Sequence, residues 1–258
     1  RASDNCQQRI ASEPYEFLEV KGEGVHEIPV GPIHAGIIEP GHFRFSCIGE
    51  IITNLEIRLG YQHRGVEKEL TRIPWKHARY LAEAVSSDTT IGNSLAHAVA
   101  IEQILGIVPP PRAQVLRTIA LEIERVANHV RDFGGLSGDI GYSVGGATFA
   151  CLRGNLMRFG EMLTGTRFQR SYVMPGGVSR DIDQNIQSEL IKLLAEMTKK
   201  ITDTLPLLLD NPAVIERMED TGRLSHSLAK EFGIVGPAGR ASGVKYDART
   251  AFSHGVYP

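Results

Sequence analysis

The sequence is poor in cysteine, the residue on which disulfide frameworks and many metal cages depend. Its 258 residues include only Cys6, Cys47 and Cys151, and no two of them have CxxC spacing. An odd number of widely separated cysteines disfavours a disulfide-stabilised fold and a closed zinc or iron–sulfur site. A reducing compartment is therefore expected.

The chain also lacks an excess of charge and a long apolar run. It has 28 Lys and Arg against 30 Asp and Glu, a formal net charge of -2, so no general basic surface for phosphates is expected and nucleic acid is not an expected partner. No run of about 18 apolar residues or secretory leader is present. Any membrane association is expected to come through partners. The composition, 42% hydrophobic, is nevertheless sufficient for a folded core.

Common catalytic signatures are missing as well. The sequence contains no GxGxxG turn, no Walker loop, no HExxH helix and no nucleophile elbow. Two well-known phosphate-binding loops are thereby excluded.

The hydrophobic pattern predicts one hairpin followed by helices. Residues 43–59 alternate with period two around a turn at residues 48–50, and their odd-numbered side chains are expected to face the core. Gly134 and Gly135 are expected to end the clearest helix. The predicted helices begin and end at Pro74 and Val85, Asn93 and Leu105, Pro111 and Phe133, Phe149 and Leu163, and Ser179 and Leu205.

Three groups of charged residues could carry chemistry. Residues 61–68 (YQHRGVEK) place Arg64 and Glu67 at a strand-to-helix junction, where capping and solvation are the simpler interpretation. Asp139 lies among six glycines and could relay protons if burial raised its pKa, although an Asx-turn explains it equally simply. Arg153 and Glu161 lie on an otherwise apolar helix and could pair within the core.

Seven collinear motifs resemble one family. They are residues 31–36 (GPIHAG), 39–45 (EPGHFRF), 61–68 (YQHRGVEK), 124–129 (ERVANH), 139–141 (DIG), 175–178 (PGGV) and 236–243 (GPAGRASG). Together they resemble the large subunit of membrane-bound, energy-converting nickel–iron hydrogenases of the formate hydrogenlyase type. They are similarly related to the quinone-site subunit of respiratory complex I.

The resemblance implies an α+β, mainly α fold: a small N-terminal antiparallel β-sheet followed by a helical body. It covers residues 26–258, which leaves residues 1–25 as a linker or N-terminal extension. The family continues beyond the match, so we expect a C-terminally truncated fragment. The implied partners are an iron–sulfur small subunit and antiporter-like membrane subunits. The implied location is cytoplasmic, peripheral on the inner membrane.

The family's first nickel-binding motif, R-x-C-G-x-C, would stand at residues 84–89 (AVSSDT). Ser86 and Thr89 replace its two cysteines. Neutral hydroxyls are poor substitutes for the thiolates that hold a soft metal centre. We therefore expect no nickel–iron site and no cofactor tightly bound by this chain.

The resemblance also assigns roles to residues. It makes Glu67 and Asp139 candidates for proton relay and places Arg64 near the partner's iron–sulfur cluster, with Arg153 and Glu161 supporting the polar interior. A quinone is possible, and the candidates for its pocket are His34, His42 and Ser87.

Three functions follow from the resemblance. The first is a hydrogenase-related subunit that couples electron transfer from an iron–sulfur partner to quinone or to ion translocation. The second is the quinone-site subunit of an NADH-quinone oxidoreductase, an assembly that also binds NAD. The third is a non-catalytic scaffold. In each case the isolated chain is expected to be inactive.

Overall fold

The computed structural model describes residues 15–33, 39–252 and 255–257. The chain divides after Arg64 into two compact units. The first, here the sheet unit, carries a small antiparallel β-sheet, and the second, the helical unit, is mainly α-helical. The predicted α+β, mainly α fold is therefore confirmed.

The sheet unit contains three antiparallel strands in sequence order: β1 (Val25–Val30), β2 (His42–Ile48) and β3 (Ile51–Arg58). The predicted hairpin is β2 and β3, joined by a turn in which Gly49 has a φ of 59°. Glycine is favoured there because a side chain in this left-handed region is sterically hindered. A register shift between Ser46 and Cys47 interrupts the pairing.

The prediction that odd-numbered residues of the hairpin face a core is wrong for β3. Leu55 and Ile57 are 42% and 51% exposed. The residues before β1 cover the opposite, charged face instead: the guanidinium of Arg44 lies 4.1 Å from the ring centroid of Phe17, and the Tyr15 hydroxyl donates to Glu56 at 2.6 Å. Cation–π contacts allow a charged face to be covered by aromatic rings, which the alternation alone does not reveal.

The helical unit contains ten helices and one two-stranded hairpin among its described residues. All five predicted helices are present. The helices are α1 (Val66–Leu70), α2 (Trp75–Glu83), α3 (Thr90–Leu105), α4 (Pro111–Asp139), α5 (Ser143–Thr164), α6 (Gln184–Leu209), α7 (Pro212–Met218), α8 (His226–Glu231), α9 (Gly236–Ala241) and α10 (Ala248–Ala251), and the hairpin is β4 (Val173–Met174) with β5 (Gly177–Val178).

Three predicted helix starts are displaced. Helix α5 begins at Ser143, six residues before the predicted Phe149. Helix α3 begins at Thr90, three residues before the expected cap Asn93. Helix α6 begins at Gln184, because the side chain of Asp183 accepts a hydrogen bond from the Ile186 amide at 2.8 Å and caps the helix there.

The expected end of α4 at Gly134 and Gly135 is wrong, since the helix continues to Asp139. A β-carbon added to Gly134 would lie 3.3 Å from the Phe149 β-carbon of α5. The glycine therefore allows the two helices to approach closely, which compensates for its low helix propensity. Asp139 is the last residue of α4, not part of a glycine-rich loop.

The core of the helical unit is formed where α3, α4, α5 and α6 pack together. The apolar stripes predicted on α4 and α6 supply much of it. Its most deeply buried members include Ile91, Ala98, Ala120, Phe149, Leu152, Leu156, Leu163, Tyr172 and Val173. No helix formed by described residues is both long and apolar enough to traverse a lipid bilayer.

Candidate functional site

The segment that replaces the nickel-binding motif connects α2 to α3. The Ser86 hydroxyl donates to a carboxylate oxygen of Asp88 at 3.0 Å. The Thr89 hydroxyl accepts from the Asn93 side-chain amide at 3.2 Å. Both hydroxyls therefore satisfy local hydrogen bonds, and as neutral oxygen ligands they do not fit a nickel–iron centre that is held by thiolates.

Helix α4 anchors this segment through Asp88. The Asp88 carboxylate forms a salt bridge with Arg131. The Asn128 side-chain amide donates to the Asp88 backbone carbonyl at 2.9 Å. Two residues one turn apart on α4 therefore hold the side chain and the backbone of the same aspartate.

Helix α4 also caps the start of α3. Oε2 of Glu124 accepts from the Ile91 amide at 2.7 Å, and Oε1 accepts from the Gly92 amide at 2.9 Å. The α3 cap residue, Thr89, makes no side-chain capping bond. Glu124 therefore satisfies two of the amides that a helix start leaves without intrahelical partners.

The Glu124 carboxyl is an unusual acid because it is buried, with 8% of its surface exposed. Burial, which disfavours the anion, raises its pKa to about 7, against the opposing effect of the two amide bonds. The nearby charge of Asp88 contributes in the same direction as burial. A carboxyl in this state exchanges its proton near neutral pH, as relay groups must.

Glu124 lines a small polar cavity of about 30 Å³. Gln169, which is only 5% exposed, lines the same cavity, and its Oε1 has no hydrogen-bond donor among the described residues. The other polar lining residues are Asp88, Asn128, Arg153 and Arg167. A second cleft of about 370 Å³ shares Arg153 and Arg167 with the cavity.

The expectation that Arg153 and Glu161 are charges within the core is wrong for Glu161, which is exposed. Arg153 is half-buried, lines both the cavity and the cleft, and has a pKa lowered by burial and by the neighbouring charge of Arg131. The structure therefore brings Arg153 to the polar cavity but not Glu161.

The proposed relay carboxylates lie at exposed positions. Glu67 is in the first turn of α1, which starts after Gly65 in the left-handed conformation, with a φ of 65°. Gly65 turns the backbone sharply next to the exposed Arg64. Asp139 is exposed at the end of α4.

The quinone-pocket candidates are distributed over both units. His42 belongs to the sheet unit, where its Nδ1 lies 3.3 Å from the Gly31 carbonyl oxygen. Ser87 belongs to the helical unit and is exposed. His34 lies outside the described residues. The quinone pocket therefore stays a prediction.

Sequence reasoning missed Glu124 as a functional residue, although it lies within the quoted motif at residues 124–129. A signal was present on α4, where Glu124 and Arg131 alternate with Ala120 and Ala127 at helical spacing. Charges separated by small residues on a core-facing stripe indicate a polar contact with a neighbouring helix. Among the described residues no group of three or more His, Cys, Asp or Glu could hold a metal ion.

Comparison with known proteins gives the same family as the motifs. Residues 139–258 match the family model of the respiratory-chain NADH dehydrogenase 49 kDa subunit. The chain is 34% identical over 240 residues to formate hydrogenlyase subunit 5 of Escherichia coli (strain K12), covering 92% of this chain and 42% of that protein. It is 30% identical over 249 residues to NADH-quinone oxidoreductase subunit 4 of Thermus thermophilus, covering 95% of this chain and 59% of that protein.

A solved structure supports the same conclusion. A chain of the membrane-bound sulfane sulfur reductase, an archaeal respiratory membrane complex, superposes with a TM-score of 0.86 at 29% identity, covering 92% of this chain and 63% of that one. The resemblance is therefore confirmed: this chain is similar in sequence to subunits of formate hydrogenlyase and NADH-quinone oxidoreductase, and in fold to a chain of a respiratory membrane complex. It spans less than two thirds of the length of these relatives.

Proposed function

We propose that this chain works in a membrane-bound redox complex as a hydrogenase-related large subunit without a nickel–iron site. It couples electron transfer from an iron–sulfur partner to reduction of an acceptor or to ion translocation. The observation that carries the proposal is the segment at residues 84–89, where an otherwise collinear chain has hydrogen-bonded Ser86 and Thr89 in place of two cysteines. The site of action is the cytoplasmic side of the membrane, which the chain reaches through its partners.

Exposed charges suit the proposed contacts with those partners. Arg64 carries a fixed cation near the partner's cluster, where a positive charge favours the reduced state. Glu67 and Asp139, being exposed, can exchange protons with solvent or with a partner subunit. Their roles are distinguishable, because a relay residue affects proton-coupled turnover whereas Arg64 affects the reduction potential of the cluster.

Metal content and turnover of the intact complex test the proposal. The full-length protein, made with its hydrogenase maturation machinery and purified with its partners, is expected to contain iron from the small subunit and no stoichiometric nickel. It is expected to neither take up nor release hydrogen. Stoichiometric nickel together with hydrogen turnover would overturn the proposal.

The electron acceptor is a separate question within this proposal. Quinone is favoured by similarity to the NADH-quinone oxidoreductase subunit, and sulfane sulfur by similarity to the sulfane sulfur reductase structure. Parallel assays of the complex with a short-chain quinone and with polysulfide decide between them. If quinone is the acceptor, His42→Ala and Ser87→Ala are expected to raise the KM for quinone.

The NADH-quinone oxidoreductase function predicts NADH oxidation by the assembled complex, with the NAD site in another subunit. The scaffold function predicts that Glu67→Gln and Asp139→Asn leave turnover of the complex unchanged. We instead expect each variant to reduce proton-coupled turnover at least about a hundredfold, the lower end of the range that one general acid or base contributes. Co-purification of the partners verifies that these variants still assemble.

A further inference from the structure

We propose that Glu124, together with the polar cavity it lines, forms a proton-loading site inside the helical unit. The site takes up one proton at the Glu124 carboxylate. The proton alters the hydrogen bonds between α4 and the first turn of α3. The role of this site in coupling rests on the proposed function. Its titration, in contrast, is a property of this chain alone.

The anionic and protonated forms of Glu124 differ in the hydrogen bonds that they can accept. In the anion, each carboxylate oxygen accepts one amide hydrogen bond, from Ile91 at 2.7 Å and from Gly92 at 2.9 Å. Protonation converts one oxygen into a hydroxyl, which no longer suits an amide donor. One amide bond is then weakened, directly after the segment that contains Ser86 and Thr89.

The surroundings allow the carboxyl to exist in both states. The helix start and its amides favour the anion, whereas burial and the charge of Asp88 favour the neutral acid. These opposing contributions leave the Glu124 pKa at about 7. A small change in the surroundings is therefore enough to load or unload the proton.

Charged groups of several elements surround the cavity. Asp88 lines it and is paired with Arg131 of α4, Arg153 projects from α5, and Arg167 follows α5. A guanidinium keeps its charge in proteins, so the carboxyl is the group that carries the proton. The neutral polar groups at the cavity are Asn128 and Gln169.

The cavity supplies a route for the proton. Its volume of about 30 Å³ is sufficient for a water molecule, which needs roughly 10–15 Å³ and two to four polar partners. The buried Oε1 of Gln169 needs such a donor, since none is present among the described residues. The neighbouring cleft is lined by the same Arg153 and Arg167, and Arg167 is exposed.

Infrared titration of the full chain tests the site. With the carboxyl carbons of glutamate labelled with carbon-13, the wild-type protein is expected to show a glutamic acid carbonyl band that disappears with a midpoint near pH 7. Glu124→Gln is expected to lack this band. The matched control Glu196→Gln, which changes an exposed carboxylate of α6, is expected to retain it.

Hydrogen exchange reports the structural consequence. After correction for the intrinsic pH dependence of exchange, one of the two amides, of Ile91 or of Gly92, is expected to lose protection as the pH falls through the same midpoint. Glu124→Gln is expected to show no such pH-dependent change.

The wild-type titration remains decisive even if Glu124→Gln does not fold. A folded wild-type chain without a glutamic acid that titrates between about pH 6 and about pH 8 would overturn the proposal, as would a band that persists in a folded Glu124→Gln. Neither outcome depends on hydrogen, quinone or polysulfide turnover. Failure of the proposed function is therefore distinguishable from failure of this site.

Discussion

Arg117 and Glu102 form a buried salt bridge between α4 and α3, with their side chains 4% and 6% exposed and Nη2 lying 2.6 Å from Oε1. Each ion has further partners. Arg117 donates to the Met174 and Gly177 carbonyls, and Glu102 accepts from the Gly176 amide. The pair therefore ties two core helices to the short hairpin that contains the PGGV motif.

Replacing one member of this pair should be costly. Arg117→Met leaves the Glu102 carboxylate buried without its counterion, and we expect the free energy of unfolding to fall by about 3–5 kcal/mol. The control is Arg112→Met, on the same helix, which removes a salt bridge to Asp181 whose side chains are 64% and 58% exposed. The control should cost much less, because a solvent-exposed ion pair contributes little to stability. Urea unfolding of the full chain measures both, and equal losses would contradict the assignment.

The sequence predicted the helices well because their apolar periodicity is a local property. The stripes of α4 and α6 are read from side chains within one helix, and both helices are present. The start of α3 was misplaced for the opposite reason: its cap is Glu124, on another helix and distant in sequence. Local cap rules favour Asn93, whose side chain bonds to Thr89 within the helix start instead.

The distinction between local sequence properties and contacts of distant segments also applies to the candidate site. The hydroxyl residues Ser86 and Thr89, at the positions where the resemblance implies metal-binding cysteines, are visible in the sequence because they concern residue types at two positions. The polar cavity is not, since its lining comes from α4, α5 and the segments before α3 and after α5. The position of Asp139 was predicted wrongly, because its glycine neighbours indicate a loop. Close packing of α4 against α5 makes the segment helical instead.

Two glycines of α5 should respond to alanine in opposite directions. A β-carbon at Gly145 would lie 2.6 Å from the Tyr142 ring and 2.9 Å from the Ser137 hydroxyl, whereas one at Gly154 would meet nothing within 4 Å. We expect Gly145→Ala to destabilise the protein by about 1–3 kcal/mol through overpacking. Gly154→Ala should stabilise it by about 0.5–1 kcal/mol through higher helix propensity. Thermal unfolding measures both signs, and stabilisation by Gly145→Ala would contradict the packing.

The cysteines should differ in reactivity. Cys47 is buried in β2, whereas Cys151 is exposed on α5. In a Cys6→Ser background, we expect a thiol reagent to modify Cys151 rapidly in the native protein and Cys47 only after unfolding. Peptide mass mapping over a time course distinguishes the two sites, and modification of both at the same rate would indicate that β2 is not protected.

The burial of Glu124 should also give stability a recognisable dependence on pH. Its folded pKa of about 7 lies above the ordinary value of 4.5, so the folded protein binds this proton more tightly than the unfolded chain does. The resulting contribution to the free energy of unfolding is complete below about pH 4.5 and is lost as the pH rises through about 7. The loss amounts to at most about 3.5 kcal/mol, since one pKa unit corresponds to about 1.4 kcal/mol.

Other carboxylates also make stability depend on pH, so the comparison between variants is used to isolate Glu124. Arg112 lowers the Asp181 pKa, for example, and the contribution of Asp181 to stability is lost only as the pH falls below its ordinary value of 3.8. We therefore expect the stability difference between wild type and Glu124→Gln to shift against the wild type as the pH rises from about 5 to about 8. Glu196→Gln should show a constant difference from wild type over that range. Urea unfolding at several pH values measures both curves, and a constant difference for Glu124→Gln would mean that the buried carboxyl has an ordinary pKa.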